Sequence, residues 1–226
     1  LFARDEFSAC LEVIGSLDRL AFDHYFMRGR CRLELGQPAK AVADFREALN
    51  IKPAYPEAFK GLGQGLAHLG RHDDALSILN PLHAQTPEDS DLNYTLGRIH
   101  YDRGNLEVAR DHLAASLPNG KNHFHANRHL GIIQRRLGNN EAAIEPLMAA
   151  IDRNPNDYLT FNNLGEALSA LDRQEDLKAM VVSVLDKDPS NPSVWNGAGI
   201  FLKAADDASL SIEYTKVAAR KFPDEP

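Results

Sequence analysis

The sequence is poor in cysteine, methionine and tryptophan, with two, three and one in 226 residues. Cys10 and Cys31 cannot build a disulfide framework. Each lies in a predicted helix, where a thiol reads as a small apolar group rather than as a bridge or a nucleophile. No apolar run is long enough to cross a bilayer, and the opening "LFARDEFSAC" has no basic region followed by a hydrophobic one. Membrane insertion is therefore not expected and no export signal is legible. The cytoplasm is favoured, although the missing initial Met leaves the compartment open. Basic residues are outnumbered 25 to 32, giving a formal charge of −7, and a chain that repels phosphate backbones is not expected to bind nucleic acid nonspecifically. Also missing are the GxSxG, P-loop, HExxH, CxxC and dinucleotide-binding glycine patterns, so no catalytic residue and no cofactor is assigned.

What the sequence does have is a period. Segments beginning at Phe22, Pro56, Ser90, Phe124, Tyr158 and Pro192 follow one another every 34 residues without a gap. Their eighth position is Gly29, Gly63, Gly97, Gly131, Gly165 and Gly199, a coincidence with a chance probability on the order of 10⁻⁷ at ordinary glycine usage. Position 20 reads Ala41, Ala75, Ala109, Ala143, Leu177 and Ser211, and position 24 reads Phe45, Leu79, Leu113, Leu147, Val181 and Thr215. Proline fills position 32 at Pro53, Pro87, Pro155, Pro189 and Pro223, and the third repeat departs with Lys121 after a Pro118-Asn119-Gly120 turn.

Each column has a physical cause. Antiparallel helices approach closely only where side chains are small, so glycine at position 8 is expected to face the small residue at position 20. Gly36, Gly70, Gly104 and Gly138 at position 15 suit the left-handed residue that ends a helix, with Asp172 and Asp206 taking that place later. Proline at position 32 stops the second helix because it has no backbone donor. The predicted organisation is therefore a helix over 1–21, the second half of a preceding repeat, and then six helix-turn-helix repeats at 22–55, 56–89, 90–123, 124–157, 158–191 and 192–226. Leu11 and Ile14 fall in buried columns, while Ile212 and Val217 have no following repeat to cover them. The reading is one continuous solenoid, a piece of a longer array, or one whose uncapped ends support homo-oligomers.

These columns resemble those of the tetratricopeptide repeat (TPR) family from Phe22 to Pro223. Position 4 carries the family's aromatic residue at Tyr25, Phe59, Phe161 and Trp195, but Asn93 and Asn127 stand there in the middle repeats. Arg28 and Ala198 replace the usual Leu at position 7, so those repeats are expected to pack less well. The resemblance implies an all-α fold, a right-handed superhelical solenoid of antiparallel helix hairpins. It also implies that the first helices line a concave groove with positions 2, 5, 6, 9, 12 and 13.

In that register the candidate peptide-binding residues are Lys60, Gln64, Tyr94, Arg98, Tyr101, His125, Arg128, His129, Asn162 and Asn163. His125 and His129 are one helical turn apart beside His123, which supplies half a zinc site. Asp91 is the single good ligand nearby, so no metal is assigned. Of the family's carboxylate-clamp pattern only Lys60 matches; Gln64, Thr95, His125 and His129 keep hydrogen-bonding capacity, but the histidines are mostly neutral at about pH 7. The wall still carries Lys60, Arg98, Arg128, Arg135 and Arg136 against Glu57, Asp91 and Asp102. Tyr94 and Tyr101 add amphipathic contact area, and Asn162, Asn163 and Asn196 can bond to an extended backbone. The expected function is a non-catalytic interaction scaffold or adaptor that takes an acidic or C-terminal segment of a protein or peptide. Alternatives are the substrate-recruiting arm of a larger enzyme of glycosyltransferase or sulfotransferase type, and a self-assembling scaffold.

Overall fold

The computed structural model describes residues 2–17, 19–118, 123–205 and 207–223. The Asn119-Gly120 turn, Lys121, Asp206 and the last three residues lie outside them. The described residues form thirteen helices and no strand, the all-α fold that the 34-residue period predicts. They gather into two compact units, Leu1–Ile99 and His100–Pro226.

The first unit holds α1 (Phe2–Gly15), α2 (Phe22–Glu34), α3 (Pro38–Ile51), α4 (Pro56–His68), α5 (His72–Gln85) and most of α6 (Ser90–Asp102). Pro38 and Pro56 open their helices at a position whose N–H has no partner in any case. The turns inside the hairpins pass through Gly36 and Gly70 at φ of 69° and 71°, where a Cβ would be strained. The second helices α3 and α5 end two residues before Pro53 and Pro87. Ala41, Phe45, Ala58, Leu66, Ala75, Leu79, Leu92 and Leu96 form the buried core.

In the first unit glycine at position 8 acts differently from the small-on-small expectation. A Cβ at Gly63 would collide with Leu79, the position-24 side chain of its own repeat, and one at Gly29 would lie 3.0 Å from the Phe45 ring. Gly61 of the next hairpin meets the same ring at 2.5 Å from its would-be Cβ. Phe45 is thus held between glycines of two successive hairpins. In these two hairpins the missing side chains make room for a large residue at position 24, whereas in the second unit position 8 also lies against position 20, Gly131 by the Ala143 carbonyl and Gly199 accepting from Ser211 Oγ at 3.0 Å.

Arg28 makes an ionic contact at position 7, where most other repeats have Leu. Its Nε and Nη2 donate to Asp44 Oδ1 at 3.0 and 2.7 Å, and Arg32 Nη1 donates to Asp44 Oδ2 at 2.6 Å. Asp44 is 2% exposed. The first hairpin therefore closes over an ion triad, where position 7 of the other repeats is apolar and the third repeat stacks His100 on His112 at the places of Arg32 and Asp44. At the start of the chain Cys31 is buried. Its thiol is pushed up to about 12, first by burial and then by the neighbouring Cys10 thiol, so it stays protonated and unreactive.

The second unit comprises α7 (Leu106–Ser116), α8 (His123–Arg136), α9 (Asn140–Arg153), α10 (Tyr158–Ala170), α11 (Gln174–Leu185), α12 (Pro192–Ala204) and α13 (Ala208–Lys221). Gly104, Gly138 and Asp172 end helices at φ of 80°, 81° and 55°. Asp157, Asn191 and Asp207 cap α10, α12 and α13 by accepting from backbone N–H groups. A Cβ at Gly131 would meet Leu147 and, at 3.2 Å, the Ala143 carbonyl. At Gly165 the obstacle is Phe201 of α12 instead of a residue of α11. The core runs through Ile132, Leu147, Phe161, Leu164, Val181, Val194 and Leu202. Ile212 and Val217 on α13 are 56% and 38% exposed.

Position 4 carries a function beyond packing. Trp195 Nε1 donates to the carbonyl of Pro189 at 2.7 Å, and Asn93 Nδ2 donates to the carbonyl of Pro87 at 2.6 Å. Indole and carboxamide both reach the position-32 proline that ends the preceding repeat. Buried Asn93, 1% exposed, is further satisfied by His83 Nε2 at 3.1 Å and the Asp89 carbonyl at 3.1 Å.

Candidate functional site

The candidate residues sit on the first helices of their hairpins, α4, α6, α8 and α10. In the first unit Lys60 Nζ donates to Asp89 Oδ2 at 2.8 Å, while Asp89 Oδ1 caps α6 by accepting from Leu92 N at 2.9 Å. Burial pushes the Asp89 carboxyl up, but the bonds from Lys60 and Leu92 N prevail and hold it below its ordinary 3.8. Gln64 Nε2 approaches Thr95 Oγ1 at 3.4 Å, and Thr95, 4% exposed, donates to the Asp91 carbonyl at 2.9 Å. Arg98 Nη1 donates to His68 Nε2 at 3.2 Å, and Tyr94 is half-buried. Among the described residues Arg98 has no carboxylate partner.

In the second unit His125 is exposed and its carbonyl accepts from His129 Nδ1 at 2.7 Å. The His129 ring meets Tyr101 edge-on at 5.2 Å, and the Arg136 guanidinium lies 5.7 Å over the same tyrosine. Arg128 stacks on Phe124 at 5.5 Å and reaches Asp157 Oδ1 at 3.5 Å. Arg135 donates from Nε to Asn163 Oδ1 at 2.7 Å and pairs with Glu166 at 2.5 Å. Asn162 Nδ2 donates to Glu166 Oε1 at 2.8 Å. Asn163, 4% exposed, spends its own Nδ2 on the Leu159 carbonyl at 2.7 Å.

Most of the basic wall is therefore matched inside the protein. Lys60 and Arg128 at position 5 each pair with the aspartate that caps the next first helix, Asp89 or Asp157, 29 residues on. That recurring offset was the signal by which the sequence could have disclosed both pairs. Arg136, exposed on the solvent side of Tyr101, is in no ion pair among the described residues. A partner's carboxylate arriving there would find a cation already oriented by an aromatic face. The three neighbouring histidines do not gather a metal set: no group of three or more His, Cys, Asp or Glu is poised around one point among the described residues.

Burial lowers the His129 pKa below its ordinary 6.5, the bond to the His125 carbonyl opposes that, and the charges of Arg128 and His125 add to the lowering. His100 is lowered too, by burial and by Arg103. The unfolded chain then takes up these protons as pH falls through 6.5, before the folded unit does. The second unit is expected to keep full stability above that pH and to lose it on acidification until the folded values are passed. Denaturation midpoints at about pH 7.5 and 5.5 check this. His129→Gln is expected to flatten the slope, and a midpoint that rises on acidification would refute the assignment.

Comparison with known proteins agrees with the repeat. Superkiller protein 3 of Schizosaccharomyces pombe is 32% identical over 94 residues, 42% of this chain and 7% of that protein. The chain spans a small part, 7% and 18%, of the two curated relatives it matches. The solved structure of YrrB, described as a TPR protein with an unusual peptide-binding site, aligns with a TM-score of 0.62 and 17% identity over 80% of this chain and 93% of that one. Pseudomonas aeruginosa pilF aligns with a TM-score of 0.68 and 16% identity over 99% of this chain and 95% of that one. At such identities the likeness concerns the fold. No helix among the described residues is long and apolar enough to cross a membrane. Tetratricopeptide repeat models match residues 32–89, 66–130 and 126–157. With more than half of its residues under those models and helix hairpins recurring in the same register, the chain belongs to the tetratricopeptide repeat family.

Proposed function

We propose that the chain is a non-catalytic protein-interaction scaffold whose first-helix faces hold an extended, acidic segment of a partner. The fold favours this role, since repeat hairpins present variable side chains on a constant frame, and YrrB is one relative in fold with a described peptide-binding site. The observation that carries the acidic preference is Arg136, an exposed guanidinium stacked on Tyr101 beside His129 and paired with no carboxylate among the described residues. Arg98 offers a second such cation on the first unit. Tyr101 and Asn162 would supply contact area and backbone hydrogen bonds, with Lys60, Gln64, Tyr94, His125, Arg128, His129 and Asn163 shaping the faces.

A titration with acidic, neutral and basic peptides of equal length tests the reading. Acidic peptides are expected to bind best and to weaken with salt. Arg136→Glu is expected to lose about 10-fold to 100-fold in affinity, the weight of one charge-assisted hydrogen bond plus the new repulsion. Because Arg136 is exposed, the variant is expected to keep its helix content, with a small fall in melting temperature from the lost stack on Tyr101 and the acid at the end of α8. Equal binding of neutral and acidic peptides would reject the acidic preference.

A further inference from the structure

The second unit has another recess, on the side formed by the second helices. Between α9 and α11, with α10 as its floor, lies a cleft of about 370 Å³. Ile144, Ile151, Leu164, Leu168 and Val184 make its walls and floor, Met148 and Met180 stand on opposite sides, and Ala179 and Ser183 leave the mouth open. The following repeat explains the gap by contrast. Its α13 has Tyr214 where α11 has Met180, one period earlier, and that ring packs 6.3 Å from Trp195. A slim thioether with small neighbours leaves space that a phenol would occupy.

Carboxylates outnumber the cations Arg173, Lys178 and Lys187 around the mouth. Glu141, Glu145 and Asp152 share the α9 stripe that carries Met148, and Asp176 and Asp186 flank Ala179 and Ser183. Arg173 has to serve two of them, bonding Asp176 at 2.6 Å and Glu141 at 3.0 Å, and Lys187 serves Asp152 at 2.5 Å. Glu145 and Asp186 are in no ion pair among the described residues. The lining from Ile144 to Ile151 covers two helical turns, the distance over which a docking helix presents apolar residues at i and i+4.

We propose that this cleft receives an amphipathic helix of a partner protein, inserting two large apolar side chains four residues apart and presenting lysines or arginines to the rim. The scaffold would then have two surfaces of opposite charge preference, one for acidic segments on the first helices and one for basic helices on the second.

The protein's three methionines make the test direct, because Met148 and Met180 line the cleft while Met27 lies in the other unit. The probe is a synthetic helix of roughly 16 residues, long enough to form alone, with Phe and Leu four apart and flanking lysines. Carbon-13 methyl NMR on the full chain is expected to show saturable shifts of Met148 and Met180 and none of Met27. The same peptide with glutamates for lysines, or with both anchors as Ala, is expected to bind at least about 10-fold more weakly. Ser183→Trp, at an exposed position that leaves folding untouched, is expected to abolish the shifts, whereas Arg136→Glu is expected to leave them unchanged. Equal response to the glutamate peptide, binding unaffected by Ser183→Trp, or shifts produced by a small neutral aromatic such as indole but not by the lysine helix would each overturn the proposal.

Discussion

Phe45→Ala is expected to destabilise the first unit by about 3–5 kcal/mol, the range for removing a buried aromatic. The ring is 0% exposed and lies between Gly29 and Gly61, with Phe26 edge-on at 6.1 Å. Cavities shrink when neighbouring side chains lean in, and two of these neighbours have no side chain. The void would therefore persist. Stability in a repeat array is shared between neighbours, so hydrogen exchange should accelerate across α2, α3 and α4 while α9 to α13 keep their protection. Gly36→Ala is the comparison: the strained φ of 69° costs about 1 kcal/mol, and open space surrounds the added methyl. Phe45→Leu with Gly61→Ala should regain part of the loss. A loss below about 1 kcal/mol for Phe45→Ala would mean that the ring does not hold the hairpins together.

The second large effect is expected from Arg28→Met combined with Arg32→Met. Both arginines are about one-fifth exposed at the side chain, but Asp44 is 3% exposed there and would be left as a buried charge without a partner. Breaking such a pair from one side costs about 3–5 kcal/mol. The reverse change, Asp44→Leu, frees two arginines that can turn toward water and should cost less. The triple variant Arg28→Met, Arg32→Met and Asp44→Leu replaces the triad by apolar contact and should equal or exceed the parent in stability. Urea denaturation of the four proteins closes the cycle. If the double variant melts with the parent, the triad contributes nothing and the buried carboxylate is satisfied by other means.

The backbone determinants of the fold were legible because they depend on a single residue type. Glycine meets the positive φ of Gly36 and Gly138 without a Cβ to strain, although Asp172 takes the same place at 55°, and Pro155 follows the end of α9 at Arg153 in a helix that also carries Pro146 within it. Side-chain pairing was less legible, since it depends on two positions whose distance becomes meaningful only once the hairpins stack. Arg28 looked like a defect until Asp44, 16 residues later, stood against it. Lys60 and Arg128 read as ligands for a partner, and both turn out to face caps one repeat ahead. Three of the five cations read on the candidate face, Lys60, Arg128 and Arg135, are ion-paired within the protein. Arg136, read as one of five cations of that wall, differs from its neighbours only by an absence, the lack of a repeat-spaced acid, and absences leave no pattern to find.

The bond from position 4 to the proline carbonyl one repeat back has a bearing on how such arrays diverge. Duplicated segments drift, and a bulky indole replaced by a slender amide would ordinarily loosen the seam between copies. Here Trp195 and Asn93 fasten the same latch with different keys. Lineages of hairpins can therefore exchange volume for polarity at that joint, and a search image that insists on an aromatic there would pass over genuine members.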